Sequence, residues 1–157
     1  MLTKSKFARQ SMLVLAAVAT VFIALPAVSA NAAGMIDHFN VSAKGKFEGA
    51  GKGATKGSVT ARFTTDTTKN TLCYSIKSHG ITGISGVHIH TGAAGVNGAV
   101  AVPLDPMKID HAGKTCVAVE AKLLADISAN PSTYYFNAHT PMYPNGAVRA
   151  QLAAKAS

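Results

Sequence analysis

Short runs of alternating apolar and polar residues, broken by Gly, Asn and Pro, constrain this chain more than any other feature. Ser58 to Thr64 places Val59, Ala61 and Phe63 on one side of an extended backbone. After the polar link Asp66 to Asn70, the stretch Thr71 to Lys77 does the same with Leu72, Tyr74 and Ile76. A period of two matches a half-buried strand, and two such runs joined by a short polar link predict an antiparallel hairpin. Further strand-like runs cover Phe39 to Phe47, the segment Gly86 to Gly92, Ala99 to Val102, Lys114 to Glu120, Thr133 to Ala138 and Ala147 to Leu152. Asn97-Gly98 and Asn145-Gly146 have the composition of tight turns with positive φ. One helix is predicted, Ala121 to Ala129, with Leu123, Leu124 and Ile127 sharing a face and Asn130-Pro131 stopping it. Eight or so short strands at this spacing predict an all-β fold, an antiparallel sandwich or barrel with one short helix.

The first thirty residues have a different character. Lys4, Lys6 and Arg9 precede an almost unbroken apolar run from Met12 to Leu25. Pro26 and the small residues Val28-Ser29-Ala30 follow, the order of a secretory signal peptide. The apolar run is shorter than the roughly 20 residues that span a bilayer. Cleavage after Ala30, with Ala33 as the alternative site, is therefore expected over a retained anchor. The protein would then be exported, periplasmic or extracellular, with no integral membrane segment left. Removing residues 1–30 leaves about 127 of the 157 residues, enough for one domain. It also takes the formal net charge from +8 to +5.

The remaining cations are scattered apart from Lys44, Lys46, Lys52 and Lys56, which alternate with small residues rather than aromatics. That pattern argues against nucleic-acid binding and leaves an anionic surface polymer as a candidate partner. Cys73 and Cys116 are the two cysteines, both in strand-like runs. An even count in an exported chain favours a disulfide, with two buried free thiols as the alternative.

His88 and His90 stand one residue apart, so an extended strand directs both to one face and Val87 and Ile89 to the other. His139 follows a later strand-like run. If the two strands are neighbours, three imidazoles converge, a donor set suited to copper or zinc. The alternative is structural, with the histidines hydrogen-bonding the backbone of nearby loops. His38, His79 and His111 fall in turn-like or terminal segments and are expected in solvent. The glycines of Gly92 to Gly98 are no phosphate loop, because neither a helix start nor a lysine with Ser/Thr follows at the required offset. No nucleophile elbow and no paired carboxylates are visible, so hydrolytic catalysis has no support.

Three blocks resemble the CHRD family. They are Thr71-Leu72-Cys73-Tyr74-Ser75-Ile76 leading to Gly80-Ile81-Thr82-Gly83, the stretch His88 to Gly98, and Tyr134 to Thr140 followed by Pro144 to Leu152. Thr91 and Ala150 replace usual glycines, and the cysteine pair is not a general family feature. The resemblance implies a secreted β-sandwich or immunoglobulin-like barrel over residues 35–154, acting as a non-catalytic binding or structural module. Gly86-Val87-His88-Ile89-His90 is also similar to the copper strand of Cu/Zn superoxide dismutase, which would place copper at His88 and His90 and make Arg149 a candidate anion contact. The further histidines and the aspartate of the dismutase zinc site are missing, which argues against dismutase activity.

Overall fold

The computed structural model describes residues 36–49 and 52–153, so the signal-like segment 1–30 lies outside the described residues. The eight strands are β1 (Ile36–Ala43), β2 (Ser58–Asp66), β3 (Thr71–His79), β4 (Gly86–Thr91), β5 (Val100–Leu104), β6 (Thr115–Ala118), β7 (Tyr134–Thr140) and β8 (Tyr143–Gln151). Helix α1 spans Ala121–Ala129. Two four-stranded antiparallel sheets result, with strand orders β1-β2-β3-β6 and β5-β4-β7-β8.

The alternating residues meet between the sheets. Phe39, Phe63, Leu72, Tyr74 and Ile76 from one sheet face Val87, Ile89, Phe136 and Val148 from the other, all buried. Phe63 and Phe136 touch across the gap with ring centroids 5.8 Å apart. Helix α1 closes one edge of this core with Leu124 and Ile127, both fully buried. Its start is held by Glu120, whose carboxylate accepts from the Lys122 and Leu123 amides at 3.1 and 3.2 Å. This satisfies two of the amides that a helix start leaves unpaired.

The expected barrel is not formed, and the immunoglobulin-like, dismutase-like closure is corrected to two separate sheets. Edge strand β5 carries Pro103, which has no amide proton to extend a ladder, and edge strand β6 is four residues long. The sheets touch at their other edges through a single antiparallel bridge, Lys44 with Arg149. Beyond it the chain turns into the 3-10 segment Gly45–Glu48, so pairing stops. For the same reason β1 ends at Ala43 rather than at Phe47.

Two turn assignments are also corrected. The β7–β8 turn is Pro141-Met142, and Asn145-Gly146 lies inside β8. There one residue of β7 faces four of β8, between the pairs Ala138–Val148 and Thr140–Tyr143, and Gly146 adopts φ +135°. Asn97-Gly98, by contrast, does not use positive φ, since the glycines that do so in that loop are Gly92 and Gly95.

Cys73 and Cys116 are directly opposite in the β3–β6 ladder and are disulfide-bonded. The bond ties the shortest strand to the sheet and closes a sequence separation of 43. Loop-closure entropy for that length predicts a loss of about 3–4 kcal/mol when both cysteines become alanine. Urea unfolding of the double variant should show this loss with an intact sheet signal in circular dichroism before the transition.

Candidate metal centre

Strand β4 lies between β5 and β7, and its alternation decides what the site is made of. Val87 and Ile89 point into the core, so His88 and His90 point to the outer face of their sheet. On β7 the residues paired with that face are Tyr135, Asn137 and His139. The Gly92–Gly98 loop and the 3-10 segment Gly45–Glu48 fold over this face. His90, Asn137 and Arg149 are therefore buried there although they are polar.

His88, His90 and His139 meet at one point. Their ring centroids are 5.1 to 6.0 Å apart, and one nitrogen from each lies within 4.8 Å of the others. The other ring nitrogens explain which atoms converge. His90 Nδ1 donates to the Gly98 carbonyl at 3.1 Å, and His139 Nδ1 donates to the Pro144 carbonyl at 3.1 Å. A carbonyl can only accept, so each Nδ1 carries the proton and each Nε2 presents a lone pair. His90 Nε2, His139 Nε2 and His88 Nδ1 are all buried without a hydrogen-bond partner. Leaving one such buried nitrogen unsatisfied costs about 1–3 kcal/mol, and all three here lack a hydrogen-bond partner.

Both expectations for the histidines thus meet in one place. Two rings do hydrogen-bond loop backbone, yet those bonds direct the opposite nitrogens at a shared point. Bulges make the carbonyls available. The irregular stretch of β8 brings Pro144 to His139, and a register shift between β4 and β5 occurs at Ile89/His90. Bulges of this kind commonly re-aim side chains beside functional sites. Burial holds the His88 and His90 imidazoles below their ordinary pKa of 6.5, and the charges of neighbouring His139 and, for His90, Arg149 act the same way. The Gly98 bond partly opposes this at His90. Both shifts favour the neutral imidazole, the form that ligates metal.

The mouth of the site is a groove of about 400 Å³ lined by Ser85, Gly86, Val100, Pro141 and Pro144 beside the three rings. It contains no charged side chain. A Cβ on Gly86 would lie 3.3 Å from His88 Cε1 and 3.8 Å from His139 Cδ2, so the glycine keeps the space before these rings open.

The remaining candidate residues are elsewhere. His38, His79 and His111 are exposed, as are Lys44, Lys46, Lys52 and Lys56. Arg149 is 3% exposed and its guanidinium binds Ala93, Val96 and Asn97, not the open groove. Sequence reasoning missed Glu48 and Asn137. Asn137 Nδ2 donates to Glu48 Oε2 at 3.4 Å, while Glu48 Oε1 and Asn137 Oδ1 are buried without partners. A polar Asn137 within the apolar run Tyr134 to Ala138 was the available signal.

The family model of the CHRD domain matches residues 39–152. No curated protein and no solved structure matches the chain, so the five-residue likeness to the dismutase copper strand gains no structural counterpart.

Burial pushes the Glu48 carboxyl up to about 6, against the opposing pull of the Asn137 bond and the Arg149 charge. Its folded pKa exceeds the ordinary 4.5, so the favourable contribution is present at low pH and is lost as pH rises through 6. Glu48→Gln removes that penalty and offers Asn137 Oδ1 a donor. After allowance for partial solvent screening, urea unfolding at neutral pH should show a gain of about 1 kcal/mol. The gain should vanish below the ordinary carboxylate pKa.

Proposed function

The chain belongs to the CHRD family, and from that premise we propose that it is a non-catalytic binding module for one copper or zinc ion, held by His88, His90 and His139. The observation that carries this reading is the convergence of three buried, unpartnered imidazole nitrogens within 4.8 Å. A single cation would satisfy all three at once. The donor set contains neither thiolate nor carboxylate, and imidazole suits zinc and copper, whereas magnesium and calcium take oxygen donors. Bonds of about 2.0–2.1 Å to three imidazoles place the nitrogens about 3.3–3.5 Å apart in a tetrahedral site, so the rings would close by roughly 1 Å. The uncharged groove leaves room for a water or an exchangeable ligand at the fourth position.

Carbonyl partners on His90 and His139 supply the outer shell that fixes ring orientation in metal sites. Placement of the protein in an oxidising, exported compartment belongs to the same reading. It is supported by the Cys73–Cys116 disulfide and by the signal-like order of residues 1–30.

Titration calorimetry of tag-free protein with Zn(II), Cu(II) and Cu(I) tests this. Stoichiometric binding at micromolar affinity or tighter is expected, with loss in both His90→Ala and His139→Ala. Absence of binding in the unsubstituted protein would refute the metal reading. Affinity should fall with acidification because protonated imidazole cannot ligate.

A further inference from the structure

Arg149 makes no hydrogen bond to the three converging nitrogens, yet its side chain is linked to His90 by two routes. It lies on β8 at 3% exposure, and among the described residues no carboxylate forms an ion pair with it. A buried cation in that position is strongly unfavourable unless its donors are used. Nη1 donates to Asn97 Oδ1 at 3.1 Å, and Nη2 donates to the Ala93 and Val96 carbonyls at 2.9 and 2.8 Å. The Gly92–Gly98 loop is thereby gathered around one guanidinium.

At its end the loop presents Gly98, whose carbonyl accepts from His90 Nδ1 and whose amide donates to the Tyr135 hydroxyl at 3.3 Å. A Cβ on Gly98 would lie 1.9 Å from the Thr91 carbonyl oxygen, so this close return to β4 requires glycine. A second route runs through the aromatic ring. The Arg149 guanidinium carbon sits 3.4 Å from the Tyr135 ring centroid, and the His90 ring stacks on Tyr135 at 5.0 Å and 9°. The loop route determines which His90 nitrogen carries the proton. The stack determines the plane of the ring.

We infer that Arg149 is the positioning residue of the metal centre, clamping the Gly92–Gly98 loop and Tyr135 so that His90 presents Nε2 to the ion. The inference rests on the metal reading for its purpose, but not for its geometry. A lysine cannot replace the arginine, because the role needs a planar fork that donates to several oxygens and stacks on a ring. His139 serves as an internal control, since its Nδ1 is held by Pro144 and not by the clamped loop.

Imidazole ¹⁵N NMR of the full chain without metal, at mildly alkaline pH, reads the tautomer of each ring. Zn(II) titration of the same samples reads the consequence. In the unsubstituted protein His90 and His139 should both be in the Nδ1–H form. In Arg149→Lys and Arg149→Met, His90 should become a tautomer mixture while His139 is unchanged, and Zn(II) affinity should fall about 10–100-fold. Asn97→Ala, at an exposed position, removes one of the clamping bonds without threatening the fold and should shift His90 in the same direction by a smaller amount. If the arginine variants do not fold, Asn97→Ala decides. An unchanged His90 tautomer in the folded variants overturns the inference. A His90 tautomer that responds in a protein that binds no Zn(II) retains the positioning role and discards the metal reading.

Discussion

Strand β4 cannot place its side chains independently. Val87 and Ile89 are needed by the core, and the period of two then commits His88 and His90 to the outer face. A polar pair on that face would be an ordinary solvated feature if nothing lay over it. Here two loop segments fold across the sheet, and partial burial makes the hydrogen-bonding state of every imidazole nitrogen consequential. The site follows from that conflict between a strand that must alternate and a face that is not left in water.

The loops that cover the face also organise it. The Gly92–Gly98 loop supplies a carbonyl to His90, and the irregular part of β8 supplies one to His139. These contacts fix the tautomers of His90 and His139, and His88 Nδ1, His90 Nε2 and His139 Nε2 are left buried without hydrogen-bond partners. Glu48 and Asn137 show that the covered face has a wider polar interior. There a carboxyl titrates near 6 because burial outweighs its one amide partner and the nearby guanidinium. The disulfide acts in the opposite sheet, holding β6 to β3, and does not touch the histidines.

Much of this was legible in the residues. The alternation of Ser58 to Thr64 and Thr71 to Lys77 gives β2 and β3, and the apolar spacing with Asn130-Pro131 gives α1 with both of its ends. His88 and His90 were recognisable as a pair because period two is a local argument, whereas His139 joined them only on the condition that its strand pairs with β4, which is a long-range contact. Closure was not legible, because the short length of β6 and the departure of the chain after Lys44 depend on tertiary context. Asn145-Gly146 has turn composition, yet the tighter Pro141-Met142 connection lets it serve as an irregularity within β8. Arg149 was the hardest to place. Its identity suggests an anion contact, and only the loop 52 to 56 residues earlier in sequence reveals where its donors go.

The most direct test of the central claim is X-ray absorption at the metal edge of protein loaded with one equivalent of zinc or copper and then desalted. The account predicts a first shell containing three imidazole nitrogens at about 2.0–2.1 Å, with the outer-shell scattering that histidine rings produce. A shell dominated by oxygen or sulfur, or a sample that retains no metal after desalting, would contradict it.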